Sequence, residues 1–144
     1  MSTIDSIILD TNVVLDALLF RNPECAPLVD AITRGRVRWL ASAWMREELA
    51  YVVARGLGPR WPVDWAQVAP HWDRWASMTE APATPVLAGR LQCSDPDDQA
   101  FIDLAVAQGC RWLVSRDRAV LKLRRRAQAL TGLRIVPPRE WRLD

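Results

Sequence analysis

Short apolar runs ending on polar residues, with stretches of helical period between them, constrain this chain more than any other feature. The runs are SIILD at 6–10, RVRWLAS at 36–42, RWLVS at 111–115 and LRIVP at 133–137. Each has the length of a strand and is too short for a helix. Between them, apolar residues recur every three or four positions. VVLDALL follows the first run, with Thr11 and Asn12 able to cap it. A helix over 26–34 stops at Gly35, and another over 43–55 closes at Gly56. SDPDDQAFIDLAVAQG, 94–109, is the clearest helix. Asp95 or Ser94 caps it, Pro96 fits its first turn, and Gly109 ends it. A basic helix over 118–130 precedes the last run. Strands that alternate with helices pair in parallel, because each crossover needs a dozen or more residues. The pattern therefore predicts an α/β domain with a mainly parallel sheet and helices on both faces. At 144 residues, without repeats or linkers, one domain is expected over 1–144.

The segment 57–82 is rich in tryptophan and proline, and Pro62 and Pro70 should break it into short helices. An edge strand is expected at PVLA, 85–88. Trp61, Trp65, Trp72 and Trp75 lie close together, three of them near helical spacing, so packing in a core or interface is their default role. Base stacking is the alternative.

Half the residues are hydrophobic and a quarter charged, the balance of an ordinary globular protein. No apolar run approaches the roughly 20 residues of a membrane span. The first residues carry acids where a secretory signal carries bases, so the expected location is the cytoplasm. Cys25, Cys93 and Cys110 show neither CxxC nor Cys/His spacing, which argues for small buried thiols. Net charge is only +2, yet Lys122 is the single lysine, and all other basic residues are arginines, whose planar fork suits phosphate. Arg116, Arg118, Lys122, Arg124, Arg125 and Arg126 cluster in one stretch. That patch suits nucleic acid, although a charge run is also an ordinary solvated face.

In open parallel sheets, ligands gather beyond the carboxyl ends of the strands. Asp10 ends the first run there, and Asp117 follows the third in the same way. Each is either a site residue or a plain helix N-cap. On the helix 43–55, Met45, Leu49, Val52 and Val53 define the buried stripe. Glu48 lies about 80° from its centre and Glu47 on the opposite side, so Glu48 looks toward the sheet end and Glu47 toward solvent. A surface salt bridge is the alternative for Glu48. In DPDD, Asp98 shares a helix face with Phe101 and Ala105 and points inward. Four carboxylates converging on one spot repel one another, and a hard cation, Mg²⁺ or Mn²⁺, resolves the conflict. Other chemistries are poorly supplied. His71 is the only histidine, and neither a Walker A sequence nor GxGxxG is present. Asp10-Thr-Asn12 has asparagine where the DxD of aspartyl-phosphate phosphatases places its general acid.

LDTNVVLDALL, REELAYVVAR, DPDDQAFIDLAVAQG, LVSRD and IVPPREW resemble, in order, the motifs of PIN domains. The branch most similar is that of toxin components of toxin–antitoxin systems, the VapC-like ribonucleases. The resemblance runs from residue 7 to residue 141, and 57–82 is its least typical part. It implies a Rossmann-like α/β/α sandwich and Mg²⁺- or Mn²⁺-dependent cleavage of single-stranded or structured RNA that leaves 5′-phosphate and 3′-hydroxyl ends. The family's four acids correspond to Asp10, Glu48, Asp98 and Asp117 as catalytic and metal-binding residues. Asn12 and Ser115 match polar positions that orient those acids or the water on the metal. Asp95, Asp97 and Asp103 are alternative or supporting acids. Arg116 and Arg118 flank the site and are candidates to grip the phosphate backbone. The resemblance further implies a small antitoxin partner and a homodimer. The rival expectations are a non-catalytic PIN-like module that binds RNA or protein, and a metal-dependent phosphatase or nuclease with another substrate.

Overall fold

The computed structural model describes residues 4–56, 64–84 and 90–143. In chain order the elements are β1 (Ser6–Leu9), α1 (Thr11–Leu18), α2 (Ala26–Thr33), β2 (Arg38–Ala41) and α3 (Ala43–Arg55). There follow α4 (Ala69–Trp75), β3 (Ala76–Met78), α5 (Gln99–Ala107), β4 (Trp112–Val114), α6 (Arg118–Leu121), α7 (Arg124–Thr131) and β5 (Arg134–Val136). Four 3₁₀ turns supplement them, among them Pro96–Asp98 immediately before α5.

The five strands form one sheet in the order β3-β2-β1-β4-β5, with every neighbouring pair parallel. Ile7, Ile8 and Leu9 of β1 are all buried, as are Trp112, Leu113 and Val114 of β4. Successive strand residues face opposite sides, so burial of every one requires cover on both faces. That makes the fold an α/β/α sandwich. Truncating one such residue, Ile8→Ala for example, should cost about 2–5 kcal/mol.

Chain order moves from β1 outward through β2 to β3, then returns to β4 on the other side of β1 and continues to β5. The direction of winding therefore switches between β1 and β4, where an open sheet leaves a crevice at its carboxyl edge. Leu9 pairs with Val114, and the Asp10 N–H donates to the Val114 carbonyl at 3.1 Å. The residues that follow the two strands are thus brought side by side.

Local sequence accounts for α3. Ser42 Oγ accepts from the Met45 N–H at 3.3 Å, and Gly56 ends the helix at φ +79°, a conformation that disfavours a side chain. Met45, Leu49 and Val53 form its buried stripe, while Glu48 is half-buried and Glu47 exposed.

Three expectations need correction. Asp10 itself caps α1, and Thr11 and Asn12 lie inside the helix. The basic helix breaks into α6 and α7 where the Leu123 N–H closes a three-residue turn on the Val120 carbonyl at 3.0 Å. A strand, β3, directly follows α4 where only short helices were expected, and it pairs with β2 through Trp39, Leu40 and Ala41. The edge strand expected at 85–88 and Trp61 lie outside the described residues.

Trp72 of α4 is buried and meets Trp39 of β2 edge-on at 4.9 Å, as a core role for its segment implies. Trp112 and Trp141 pair similarly at 5.4 Å. The three cysteines are buried and free. No helix among the described residues is long and apolar enough to cross a membrane.

Candidate active site

Asp10 is 5 % exposed, directly beyond β1. Its Oδ1 accepts from the Val13 N–H at 2.9 Å, the cap bond of α1, and its carboxylate also takes a hydrogen bond from the Ser115 side chain. Ser115, fully buried beyond β4, accepts the Asp117 N–H on its Oγ at 3.0 Å. One hydroxyl thus links the two acids that follow the two central strands. Asp117 in turn caps α6, its Oδ1 accepting from the Ala119 N–H at 2.8 Å. Capping and site membership are compatible here, because a cap bond engages only one carboxylate oxygen.

The third acid comes from the turn before α5. Asp95 starts that turn with an Oδ1 bond from the Asp97 N–H at 3.0 Å, and Pro96 fixes its first position. The turn carries Asp98 inward, where its carboxyl hydrogen-bonds Asp117. Its other feature is unusual. Asp98 Oδ2 is buried and has no hydrogen-bond partner among the described residues. Carboxylate oxygens of Asp95, Asp98 and Asp117 all lie within 4.8 Å of one another.

Glu48 approaches from α3, and its Oε2 accepts a short bond from Thr11 Oγ1 at 2.6 Å. Its charge and that of Asp117 act on Asp10, and the charge of Asp10 acts on Asp98. All four expected acids therefore share one electrostatic neighbourhood.

The crowding shows in their protonation. Burial first, opposed by the bonds from Ser115 and Val13, and then the charges of Asp117 and Glu48 push Asp10 up to about 6. Burial, the bond to Asp117, and the charges of Asp117, Asp95 and Asp10 push Asp98 up to about 7. Glu48 is also raised, by burial first, against the opposing bond from Thr11. Carboxyls whose pKa values are all raised mark a cluster short of positive charge.

The other singled-out residues differ in exposure and in partners. Asn12 is exposed in the first turn of α1. Asp97 is exposed. Asp103 instead accepts from Gln99 Nε2 at 2.9 Å. Gln99 also takes the Cys93 N–H at 2.6 Å and donates to the Leu91 carbonyl at 2.8 Å, so it pins the preceding segment to α5. Arg118 is exposed at the start of α6. The Arg116 guanidinium is engaged by Asp16 at 3.1 Å and Glu24 at 3.2 Å. One contributor was not singled out beforehand: Thr11 read only as a capping candidate, and nothing in the sequence tells of its bond across to α3. Asp95, expected as the cap and as an alternative or supporting acid, lies with Asp98 and Asp117.

A groove of about 520 Å³ opens between α1, α2 and α4, over Leu9 and Trp39. None of the four acids lines it, so it is not the acid site.

A family profile described as PIN domain matches residues 6–119, a span that holds all four acids. The chain belongs to the PIN-domain family. No curated protein matches it. Among solved structures, a chain of VapBC2 from Rickettsia felis bound to a DNA fragment from their promoter is similar over 90% of this chain and 96% of that one. The TM-score is 0.65 and the identity 14%, so that likeness is one of fold. PIN-domain relatives are nucleases.

Proposed function

We propose that this PIN-domain protein is a metal-dependent endoribonuclease that hydrolyses RNA phosphodiester bonds, and that it serves as the toxin of a type II toxin–antitoxin pair. The observation that carries the nuclease reading is the unpartnered, buried Asp98 Oδ2 beside the carboxylates of Asp95 and Asp117. A buried carboxylate oxygen without a donor is costly unless a cation takes the donor's place. The donors on offer are all oxygens, which suits Mg²⁺ or Mn²⁺ and disfavours softer metals.

In this reading Asp10, Glu48, Asp98 and Asp117 would hold the ion, with Asp95 beside Asp98 and Asp117. When bound, such an ion polarises a phosphodiester and lowers the pKa of its water. The chain's own residues do the rest. Ser115 fixes the mutual placement of Asp10 and Asp117, and Thr11 fixes Glu48. Asp98, its pKa raised to about 7 by burial and by Asp117, would give up its proton on binding a cation. Asn12 lies close in sequence to Asp10 and is free to orient water. Arg118 grips the phosphate backbone of the substrate from the start of α6, while Arg116 is committed to Asp16 and Glu24.

The toxin role, the small antitoxin partner and the homodimer rest on the sequence resemblance to the VapC-like branch. The fold likeness to a VapBC2 chain lends support to the antitoxin partner alone. The cytoplasm is the matching location.

The deciding experiment incubates assorted RNAs with the protein, with and without Mg²⁺ or Mn²⁺, beside Asp10→Asn and Asp98→Asn. Cleavage should need the ion and vanish in both variants. Cleavage that survives chelation, or both substitutions, would sink the reading. A small protein encoded alongside should copurify and silence cleavage, and light scattering should return the mass of two chains.

A further inference from the structure

The tryptophans of the described residues are not alike. Trp39, Trp72, Trp112 and Trp141 are buried, and Trp65 and Trp75 are half-buried, but Trp44 is 39 % exposed. Its place is specific. Trp44 stands in the first turn of α3, just past the carboxyl end of β2, on the edge of the sheet where the acids gather. It lies one helical turn ahead of Glu48, so the two share one side of α3. Its ring meets Phe101 edge-to-face, with centroids 5.8 Å apart and planes at 71°. Phe101 is buried on α5, three residues after Asp98. The indole is therefore braced between the two elements that deliver Glu48 and Asp98, with more than a third of its surface open to solvent.

A large aromatic ring that is pre-positioned loses little freedom when a flat partner lies against it. We propose that the Trp44 indole is a stacking platform for one unpaired base of the RNA, beside the phosphate that is cut. This rests on the nuclease reading above. It names the side chain that receives the base: every base has a face to stack, so the platform is tolerant of base identity, while a base within a duplex already has its neighbours.

The test compares the metal-loaded wild type with Trp44→Leu, Trp44→Phe and Asp98→Asn on single-stranded RNAs carrying one abasic nucleotide moved stepwise past the cut. Leucine keeps apolar cover over Phe101, so folding is preserved while the aromatic face is lost. Wild-type kcat/KM should drop about 5- to 100-fold at one abasic position, the range for loss of one stacked base. Trp44→Leu should show that loss on intact RNA and ignore the abasic position, and Trp44→Phe should recover part of it. Binding of fluorescent RNA in Ca²⁺ should follow the same order. A Trp44→Leu variant that cuts intact RNA at the wild-type rate, or keeps the abasic penalty, overturns the proposal. So does a change of oligomeric state with the penalty intact, which would make Trp44 an interface residue. If Asp98→Asn cuts like the wild type, the nuclease reading falls and takes this proposal with it. If only the Trp44 results fail, the nuclease reading stands.

Discussion

Thr11 Oγ1 donates to Glu48 Oε2 at 2.6 Å across 37 residues of sequence, and so ties the first turn of α1 to the middle of α3. The bond holds a half-buried carboxylate toward the other acids and works against the burial that raises its pKa. Removing the donor while keeping the shape, with Thr11→Val, should weaken Mn²⁺ binding about 10- to 100-fold, as losses behind a metal ligand do. Thr11→Ser should restore most of it. Calorimetric titration with Mn²⁺ checks this, and equal affinity for wild type and Thr11→Val would refute the positioning role.

Asp98→Asn should abolish metal binding and yet stabilise the metal-free protein. The amide can donate to Asp117, and it removes a charge from a crowd of like charges. In chelator at about pH 8, where the wild-type carboxyls are ionised, the variant should melt a few degrees higher. In saturating Mn²⁺ the order should reverse. A lower metal-free Tm for the variant would show that Asp98 stabilises the fold directly.

Proton linkage gives the pH course. Asp10 at about 6 and Asp98 at about 7 both lie above the ordinary value of 3.8, so the folded chain retains protons that the unfolded chain has released. Their contribution is fully present below about pH 4 and is lost as pH rises through 6 to 7. The Tm gap between Asp98→Asn and metal-free wild type should accordingly widen across that interval. Metal affinity should strengthen over the same interval, because protons and the ion compete for the same oxygens. Thermal melts and metal titrations at a series of pH values would reveal a flat profile if the acids were ordinary.

Arg116 and Arg118 should separate under salt. Arg118→Ala should raise KM for RNA and lower the salt dependence of binding by about one unit of slope, the effect of one phosphate contact. Arg116→Ala should leave that slope unchanged and cost no more than about 1 kcal/mol, since its partners are half-exposed carboxylates. Binding isotherms over a salt series decide between them.

Elements carried by local periodicity were legible in the sequence. α3 runs from 43 to 55 as its stripe and Gly56 imply, and helical phase alone separates half-buried Glu48 from exposed Glu47. The spacing of Asp98 to Phe101 and Ala105 anticipated its inward position, which the 3₁₀ turn before α5 delivers. What escaped was set by distant partners. β3 is three residues with two exposed side chains, a segment without alternation, and it is a strand because β2 offers an open edge. The bond from Thr11 to Glu48 joins two helices whose relative placement no local pattern encodes. Asp95 was legible as a cap and as an alternative acid, whereas the 3₁₀ turn that sets it beside Asp98 was not, since a regular helical turn had been expected there.

Asp10 and Asp117 start helices with the same carboxyl groups that face the acid cluster. The chain therefore cannot shed its chemistry at those positions without also choosing how α1 and α6 begin. Asparagine preserves the cap and removes the charge, whereas alanine forfeits both, typically at about 1 kcal/mol per helix start. A descendant that kept this fold as an inert scaffold should hence carry Asn or Ser at 10 and 117, and a silenced variant made in the laboratory is best built the same way.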